Sequence, residues 1–415
     1  MKYTKIKYCR LCKSKKITKL IDFGQIACSS TFPLKNNKYN QITPMVFCIC
    51  ENCKLAQLLH NYSLKELYND NYGYRSGVNQ AMIKHLTTIT NDIKNLIKFK
   101  KDDYVLDIAS NDGTLLKTYK SKILKYVGID PTISRFKTFY PKNFKTDSTF
   151  FSKKKYLNIS KGKKAKVITS IAVFYDVSDP DKFISEIKDI LDKEGVYVME
   201  QSYLPMLIKN NAYDSICHEH LTYFTLKQIK YLCEKNNLKV IKASTNSMNG
   251  GSIRVFITHK KSDFKINTNS INKCDVLENK YVNIKRLVQF KNDIKKLSIN
   301  LNKTIKKIKD NKKVIHAYGA STKGNITLQY SKINKYQISF AADRNPTKWN
   351  RKMPGTNIPI ISEKSSRLLN PDFYLVLPWH FRKDFIKREN FFLSNGGKLI
   401  FPLPKVEIVS KKKLK

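Results

Sequence analysis

The sequence predicts an α/β protein: a doubly wound, Rossmann-like sheet flanked by a small N-terminal metal module and a second C-terminal α/β unit. Three observations predict it. Short β-branched runs alternate with helical segments between residues 104 and 258, the mark of a mostly parallel sheet with crossover helices. Two CxxC pairs, Cys9-Arg-Leu-Cys12 and Cys50-Glu-Asn-Cys53, stand near the start. A second strand–loop–helix signal opens at Val314–Tyr318 after a long helical stretch. At 415 residues the chain exceeds one ordinary core, so two or three domains are expected.

Hydrophobic residues make up 41% of the chain and aromatics 11%, ample for globular units. No run of about 18 apolar residues occurs, so no membrane span is expected. The opening MKYTKIKYCRLC lacks the apolar core of a secretory signal, and a cytoplasmic protein is the simplest expectation. The net charge of +45 raises nucleic acid as a partner. However, the lysines are spread along the whole chain among Asn and Ile, as in AT-rich coding sequence. That evenness argues against a dedicated nucleic-acid surface, while the positive field suits a phosphate-bearing small substrate. Nothing in the composition fixes an oligomeric state.

Nine cysteines in a reducing compartment are thiols or metal ligands rather than disulfides. Cys9, Cys12, Cys50 and Cys53 can close a tetrahedral thiolate site, the usual structural zinc pattern, with no coordination position left open for catalysis. The gap between the pairs is longer than in a zinc ribbon, so an insertion must fold there. Cys28 and Cys48 are read as non-ligands.

Beyond the second pair, Lys54–Leu59 reads as a strand and Ser63–Tyr68 as the start of a helix. Tyr72-Gly-Tyr-Arg-Ser-Gly77 is an aromatic connector. Asn79–Ile97 carries Met82, Ile83, Leu86, Ile89, Ile93, Leu96 and Ile97 near helical spacing. Strands follow at Tyr104–Ile108, Tyr126–Ile129, Lys166–Ser170, Gly195–Glu200, Lys239–Ala243 and Ser252–Thr258, with helices from Thr114, over Asp179–Leu191 and over Lys227–Asn236. Asp263–Ile308 is polar, then helical, and links to the last unit. There strands are expected at Val314–Tyr318, Tyr336–Ala341, Phe373–Leu377 and Lys398–Phe401, with a helix from Asn325. The expected domains are 1–68, 69–262 and 263–415.

Three loops carry chemistry. Asn111-Asp-Gly113 follows the first strand of the central sheet, where glycine permits close backbone approach, and Asp130 ends the next strand, where a carboxylate can hold a ribose diol. The pyrophosphate fingerprint GxGxxG is absent. Gly319-Ala-Ser-Thr-Lys-Gly324 joins a strand to a helix, and its amides, hydroxyls and Lys323 form an anion cradle without being a Walker loop. Asp343–Pro346, Trp379 and His380 are placed to line the same cleft. The block Tyr213–Phe224, YDSICHEHLTYF, sets His218, Glu219 and His220 side by side. If extended, it points both imidazoles the same way, leaving a metal pair geometrically open, but no third ligand is evident.

The ordered set CxxC…CxxC, YGYRSG, VLDIASNDGTLL, CHEH, NGGSIRVF, YGASTKGN and PDFYLVLPWHF resembles one family along nearly the full length. That family is the three-domain S-adenosyl-L-methionine (SAM)-dependent sugar C-methyltransferases, which act on nucleotide-linked deoxy-ketosugars. The resemblance implies a class I methyltransferase sheet with Asp107, Asn111, Gly113 and Asp130 around the cofactor. It implies structural zinc at the four cysteines. His220 falls at the family's catalytic base, with Glu219 beside it, and Tyr74 matches the tyrosine of a YxYxS segment. Ser321, Lys323 and Asn325 fall where the C-terminal domain holds the nucleotide sugar. Two departures stand out: Cys217 occupies a position where the sugar enzymes carry tyrosine, and Asp176 one where they carry histidine. Three rivals stay open: methylation at oxygen or nitrogen, a nucleic-acid methyltransferase, and a binding protein that kept the fold.

Overall fold

The strand Tyr104–Ile108 is apolar on both faces and lies inside a seven-stranded sheet, as it must when helices cover both sides. The structure is a computed structural model describing residues 2–36, 41–68, 72 and 74–411. Across this sheet the strands run Leu238–Asn246, Ser252–His259, Leu191–Ser202, Ala165–Ile171, Tyr104–Ile108, Lys125–Ile129 and Lys145–Asp147. Only Ser252–His259 runs against its neighbours in this sheet. The chain steps from Tyr104–Ile108 to Lys125–Ile129 on one side and returns as Ala165–Ile171 on the other. Strand order therefore reverses at the centre, opening a crevice beyond the carboxyl ends. The helix Gln80–Leu96 covers one face through Leu86, Ile89 and Ile93, and the Asn79 side chain caps it by accepting from Ala81 N at 3.0 Å.

The long gap between the cysteine pairs folds as a hairpin, Ile17–Ala27 against Ile42–Cys50. Ala56–Leu58 adds to it, and Thr222–Tyr223 completes the four-stranded sheet, so residues far along the chain close the N-terminal unit. The expected linker is two helices, Thr268–Tyr281 and Ile284–Asp310. They part where Asn283 turns its side chain to accept from Arg286 N at 3.0 Å, capping the second helix.

The C-terminal sheet runs Ile360–Ser362, Phe340–Asp343, Ile315–Tyr318, Phe373–Val376, Lys398–Phe401 and Glu407–Val409, parallel except at the last strand. Here too the order reverses, beside Ile315–Tyr318. The strand expected at Tyr336–Ala341 lies instead at Phe340–Asp343. Asn334 and Gln337 close a turn with each other, and Gln337 N and Ile338 N both donate to the Asn334 carbonyl, so those groups are taken. The helix expected from Asn325 opens at Thr322, because Ser321 caps it by accepting from Gly324 N at 3.0 Å.

The first and last units meet through side-chain amides. Gln329 accepts from Ala27 N at 2.8 Å and donates to the Ala27 carbonyl at 3.1 Å. Asn325 Nδ2 donates to the Ser29 carbonyl at 2.5 Å. Among the described residues no helix is long and apolar enough to cross a membrane. Gln329→Ala strands both backbone groups of Ala27, which is buried. The expected loss is about 1–3 kcal/mol, read as a lower thermal midpoint; an unchanged midpoint would show that other partners replace the amide.

Candidate active site

The metal centre is the simplest part. The sulfurs of Cys9, Cys12, Cys50 and Cys53 all lie within 4.8 Å of one another. Cys9 and Cys53 are 3.6 Å apart and Cys12 and Cys50 3.5 Å. A zinc tetrahedron with bonds of about 2.3 Å has sulfur–sulfur edges of roughly 3.8 Å, so the four thiols fit the ion. Among the described residues this is the one group of three or more such side chains that can hold a metal. Cys28 is buried away from the cluster, its thiol hydrogen-bonded with Ser30, and Cys48 donates to the Gln57 carbonyl, as non-ligands should.

At the crevice of the central sheet, Ala109, Asn111 and Gly113 all take positive φ (57°, 52° and 70°), which folds the loop back over the strand end. A Cβ at Gly113 would meet the Tyr140 ring at 2.7 Å. Tyr140 in turn donates to the Asn111 carbonyl at 2.9 Å and shares a 2.8 Å hydrogen bond with Ser110. Asp107 is buried and accepts from the Thr169 hydroxyl at 2.6 Å; burial lifts its pKa to about 7. Asp130 accepts from Asn111 N at 3.0 Å and from Thr132 N at 2.6 Å and its hydroxyl at 2.5 Å. A carboxylate offers about four lone-pair sites, so one remains for a ribose hydroxyl. The segment before the helix arches over this loop: Ser76 N donates to Asn111 Oδ1 at 2.9 Å and Gly77 N to Asp112 Oδ2 at 3.0 Å. These residues fit the cofactor. Tyr140 and Thr132, which brace the loop, carry no motif that would single them out. Gly73 of the YGYRSG segment lies outside the described residues.

The block Cys217–His220 is a turn, closed by His220 N–H to the Cys217 carbonyl at 3.0 Å. This corrects the extended reading: the two imidazoles face apart. His218 packs edge-on against Tyr62 at 4.9 Å, inside the N-terminal unit. It is fully buried, and neither ring nitrogen reaches hydrogen-bonding geometry, although the Ile26 backbone is near. His220 instead lies on the Tyr175 ring at 4.0 Å, with Nδ1 2.7 Å from the Ser215 carbonyl oxygen. A carbonyl only accepts, so Nδ1 carries the proton and Nε2 keeps its lone pair. Burial, reinforced by the Lys323 charge, lowers His220 to about 3 and holds the imidazole neutral. Glu219 is 5% exposed with Oε2 unpartnered, and burial raises its pKa. Cys217 is fully buried, with its thiol pushed well up by burial. Tyr74 is 42% exposed, and its carbonyl accepts from Asn111 Nδ2 at 3.4 Å, which sets it at the mouth above the cofactor loop.

From the C-terminal unit, Lys323 Nζ reaches across to Ser215 Oγ at 2.7 Å and to the Asn249 carbonyl. Burial lowers its pKa, with Asp214 pulling the other way. Trp379 Nε1 donates to Asp214 Oδ2 at 2.8 Å, and His380 Nδ1 is buried and unpartnered beside them. Ser321 is a helix cap, and Asn325 is a buried strut to Ser29 with Oδ1 unpartnered. Gln201, at the carboxyl end of Leu191–Ser202, is buried with neither amide atom paired. Sequence reasoning missed Ser215, Asp214 and Gln201. Ser215 works partly through its carbonyl, which no residue type announces.

A central sheet of this order, with a glycine loop and an acid at its reversal point, defines a SAM-dependent methyltransferase. The family comparisons carry this further. Residues 9–68 match the model of a domain described as zinc binding, 81–243 that of a methyltransferase domain, and 247–404 that of a C-methyltransferase C-terminal domain. Over 414 residues the chain is 25% identical to the C-methyltransferase NovU of Streptomyces niveus, covering 97% of this chain and 96% of that one. Among solved structures, the CurJ carbon methyltransferase is 10% identical with a TM-score of 0.33, over 44% of this chain and 57% of its own. The mitomycin 7-O-methyltransferase MmcR is 12% identical with a TM-score of 0.34, over 43% and 54%. The chain carries in order the zinc-binding, methyltransferase and C-methyltransferase C-terminal domains, takes SAM as methyl donor and holds zinc in its N-terminal domain. Cys50→Ser is expected to lower zinc content and thermal stability together; full zinc stoichiometry in that variant would overturn the ligand assignment.

Proposed function

We propose that the chain methylates a carbon next to the ketone of a nucleotide-activated keto-deoxysugar, with His220 as the base. The observation that carries this is the His220 tautomer, fixed by the Ser215 carbonyl, on the same serine whose hydroxyl receives Lys323. The reading gains support from the C-methyltransferase relative spanning nearly the whole chain. The bound cofactor supplies an electrophilic methyl group. His220 Nε2 removes the proton beside the ketone, which leaves an enolate as the carbon nucleophile. Glu219 faces the charge that appears on the imidazole, and Tyr74 at the mouth donates to the enolate oxygen. Ser321 and Lys323, at the start of the helix Thr322–Tyr330, receive the diphosphate, where amide donors and the ammonium favour an anion. Asp107, Asn111, Gly113 and Asp130 hold the cofactor. The three units 1–68, 69–262 and 263–415 share this one cleft, and the protein works in the cytoplasm.

His220→Asn keeps a donor for the Ser215 carbonyl but loses the basic nitrogen. Methyl transfer should fall about 100- to 10,000-fold, the scale of general-base catalysis, with cofactor affinity unchanged by calorimetry. Near-normal turnover would remove His220 from the role. Substrate deuterated beside the ketone should exchange its label with solvent in the wild type and not in the variant. Methylated product formed without loss of that label would point to oxygen or nitrogen as the acceptor.

A further inference from the structure

The helix Gln80–Leu96 packs on the central sheet through Leu86, Ile89 and Ile93, but part of the contact is charged and buried. Glu200 and Arg254 stand opposite each other on the antiparallel strands Leu191–Ser202 and Ser252–His259. Arg254 Nε donates to Glu200 Oε2 at 2.8 Å, and Asn246 Nδ2 donates to the same oxygen at 3.0 Å. The other oxygen, Oε1, is taken by His85 Nε2 from the helix. An ionised carboxylate only accepts, so His85 holds a proton on Nε2. Burial alone would raise the Glu200 pKa, yet His85 and Arg254 hold it below the usual carboxylate range. The rest of the guanidinium also reaches the helix: Nη1 donates to Asp92 Oδ2 at 2.6 Å and Nη2 to the Thr88 hydroxyl at 3.1 Å. Thr88 in turn donates to the His85 carbonyl at 2.7 Å.

His85, Thr88 and Asp92 are spaced to share one face of the helix. Leucine and isoleucine contacts are non-directional and tolerate a helix that slides or rolls, whereas a rigid guanidinium fork does not. A buried ion pair is weak evidence for stability, because apolar residues of similar volume often serve as well. Placement is the better use for it, and the stretch just before the helix depends on placement. Ser76 N and Gly77 N donate to Asn111 Oδ1 and Asp112 Oδ2, and the Tyr74 carbonyl accepts from Asn111 Nδ2. A slip of one residue moves a helix about 1.5 Å along its axis, enough to break each of these bonds. We infer that His85, through Glu200 and Arg254, is a positioning residue: it sets the stretch Tyr74–Asn79 over the loop Asn111–Gly113 and so governs SAM affinity. It acts through the helix and takes no part in methyl transfer. This rests on the reading of Asn111–Gly113 as the cofactor loop.

His85→Leu leaves Glu200 paired with Arg254 and Asn246, so the fold should persist. In the full chain without SAM, amide hydrogen exchange across residues 74–79 should quicken about tenfold, with the strands Tyr104–Ile108 and Ala165–Ile171 unchanged. Calorimetry should find SAM bound ~10-fold more weakly, the scale of one lost hydrogen bond to a charged group. His85→Gln, which still donates to Glu200, should recover most of both effects. Wild-type SAM affinity in His85→Leu would overturn the inference, as would an equal loss in the Leu and Gln variants, or faster exchange spread over the whole sheet. Asn111→Ala tells the two readings apart. If it binds SAM as the wild type does, the loop reading fails and takes the inference with it; if it weakens SAM while His85→Leu does not, the inference alone fails. Should His85→Leu not fold, Thr88→Val, which removes one Arg254 partner on the helix, must shift exchange and affinity in the same directions.

Discussion

Everything in the site depends on how the segment Tyr213–Tyr223 is held, because each of the three units grips it. The N-terminal sheet takes Thr222 and Tyr223 as its edge strand. The central unit binds Leu221 and Thr222 through the Tyr175 carbonyl. The C-terminal unit reaches Asp214 through Trp379 and Ser215 through Lys323. The Ser215 carbonyl also receives the Tyr223 hydroxyl at 3.3 Å, so the atom that fixes the His220 tautomer is itself fixed from two directions. Loosening any one unit therefore disturbs the orientation of a single imidazole.

That dependence gives the zinc module, whose four thiolates leave no coordination position open, a structural part in the site. The four thiols close the base of the N-terminal unit, and nearby Arg10 donates to the Leu58 carbonyl at 2.6 Å and the His60 carbonyl at 3.0 Å. Ala56–Leu58, thus steadied, is the strand against which Thr222–Tyr223 pairs. The metal thereby steadies the segment that carries His220 through a β-bridge. The cleft meanwhile keeps unpaired polar atoms on Glu219, Gln201, Asn325 and His380, each a destabilising choice that a rigid frame must offset.

Periodicity and glycine placement made the sheets legible from sequence. Tyr104–Ile108 and Lys398–Phe401 agree with their expected bounds because buried strands with turn signals on both sides leave little freedom. Tyr336 misled because an apolar residue in a β-branched run reads as strand, yet it is 78% exposed on a turn that Asn334 and Gln337 close between themselves. In the site, residue type was informative for the cysteines, whose four sulfurs gather in one cluster. It was silent where the backbone does the work, as at Ser215, and misleading for His218, whose neighbour relation to His220 is sequential and not spatial. No pattern within a sequence reports that a four-residue turn will send side chains two positions apart into different units.

The reach of Lys323 has a consequence for fidelity. Its ammonium is a main reason, after burial, that His220 resists taking a proton. On the proposed reaction, an anion that settles on Lys323 would cancel this repulsion and make the imidazole a stronger base. On the same reading, a free sugar lacking the diphosphate would leave the lysine uncompensated and the base weak. On the proposed reaction the nucleotide would therefore be more than a handle for affinity: its diphosphate would arm the base.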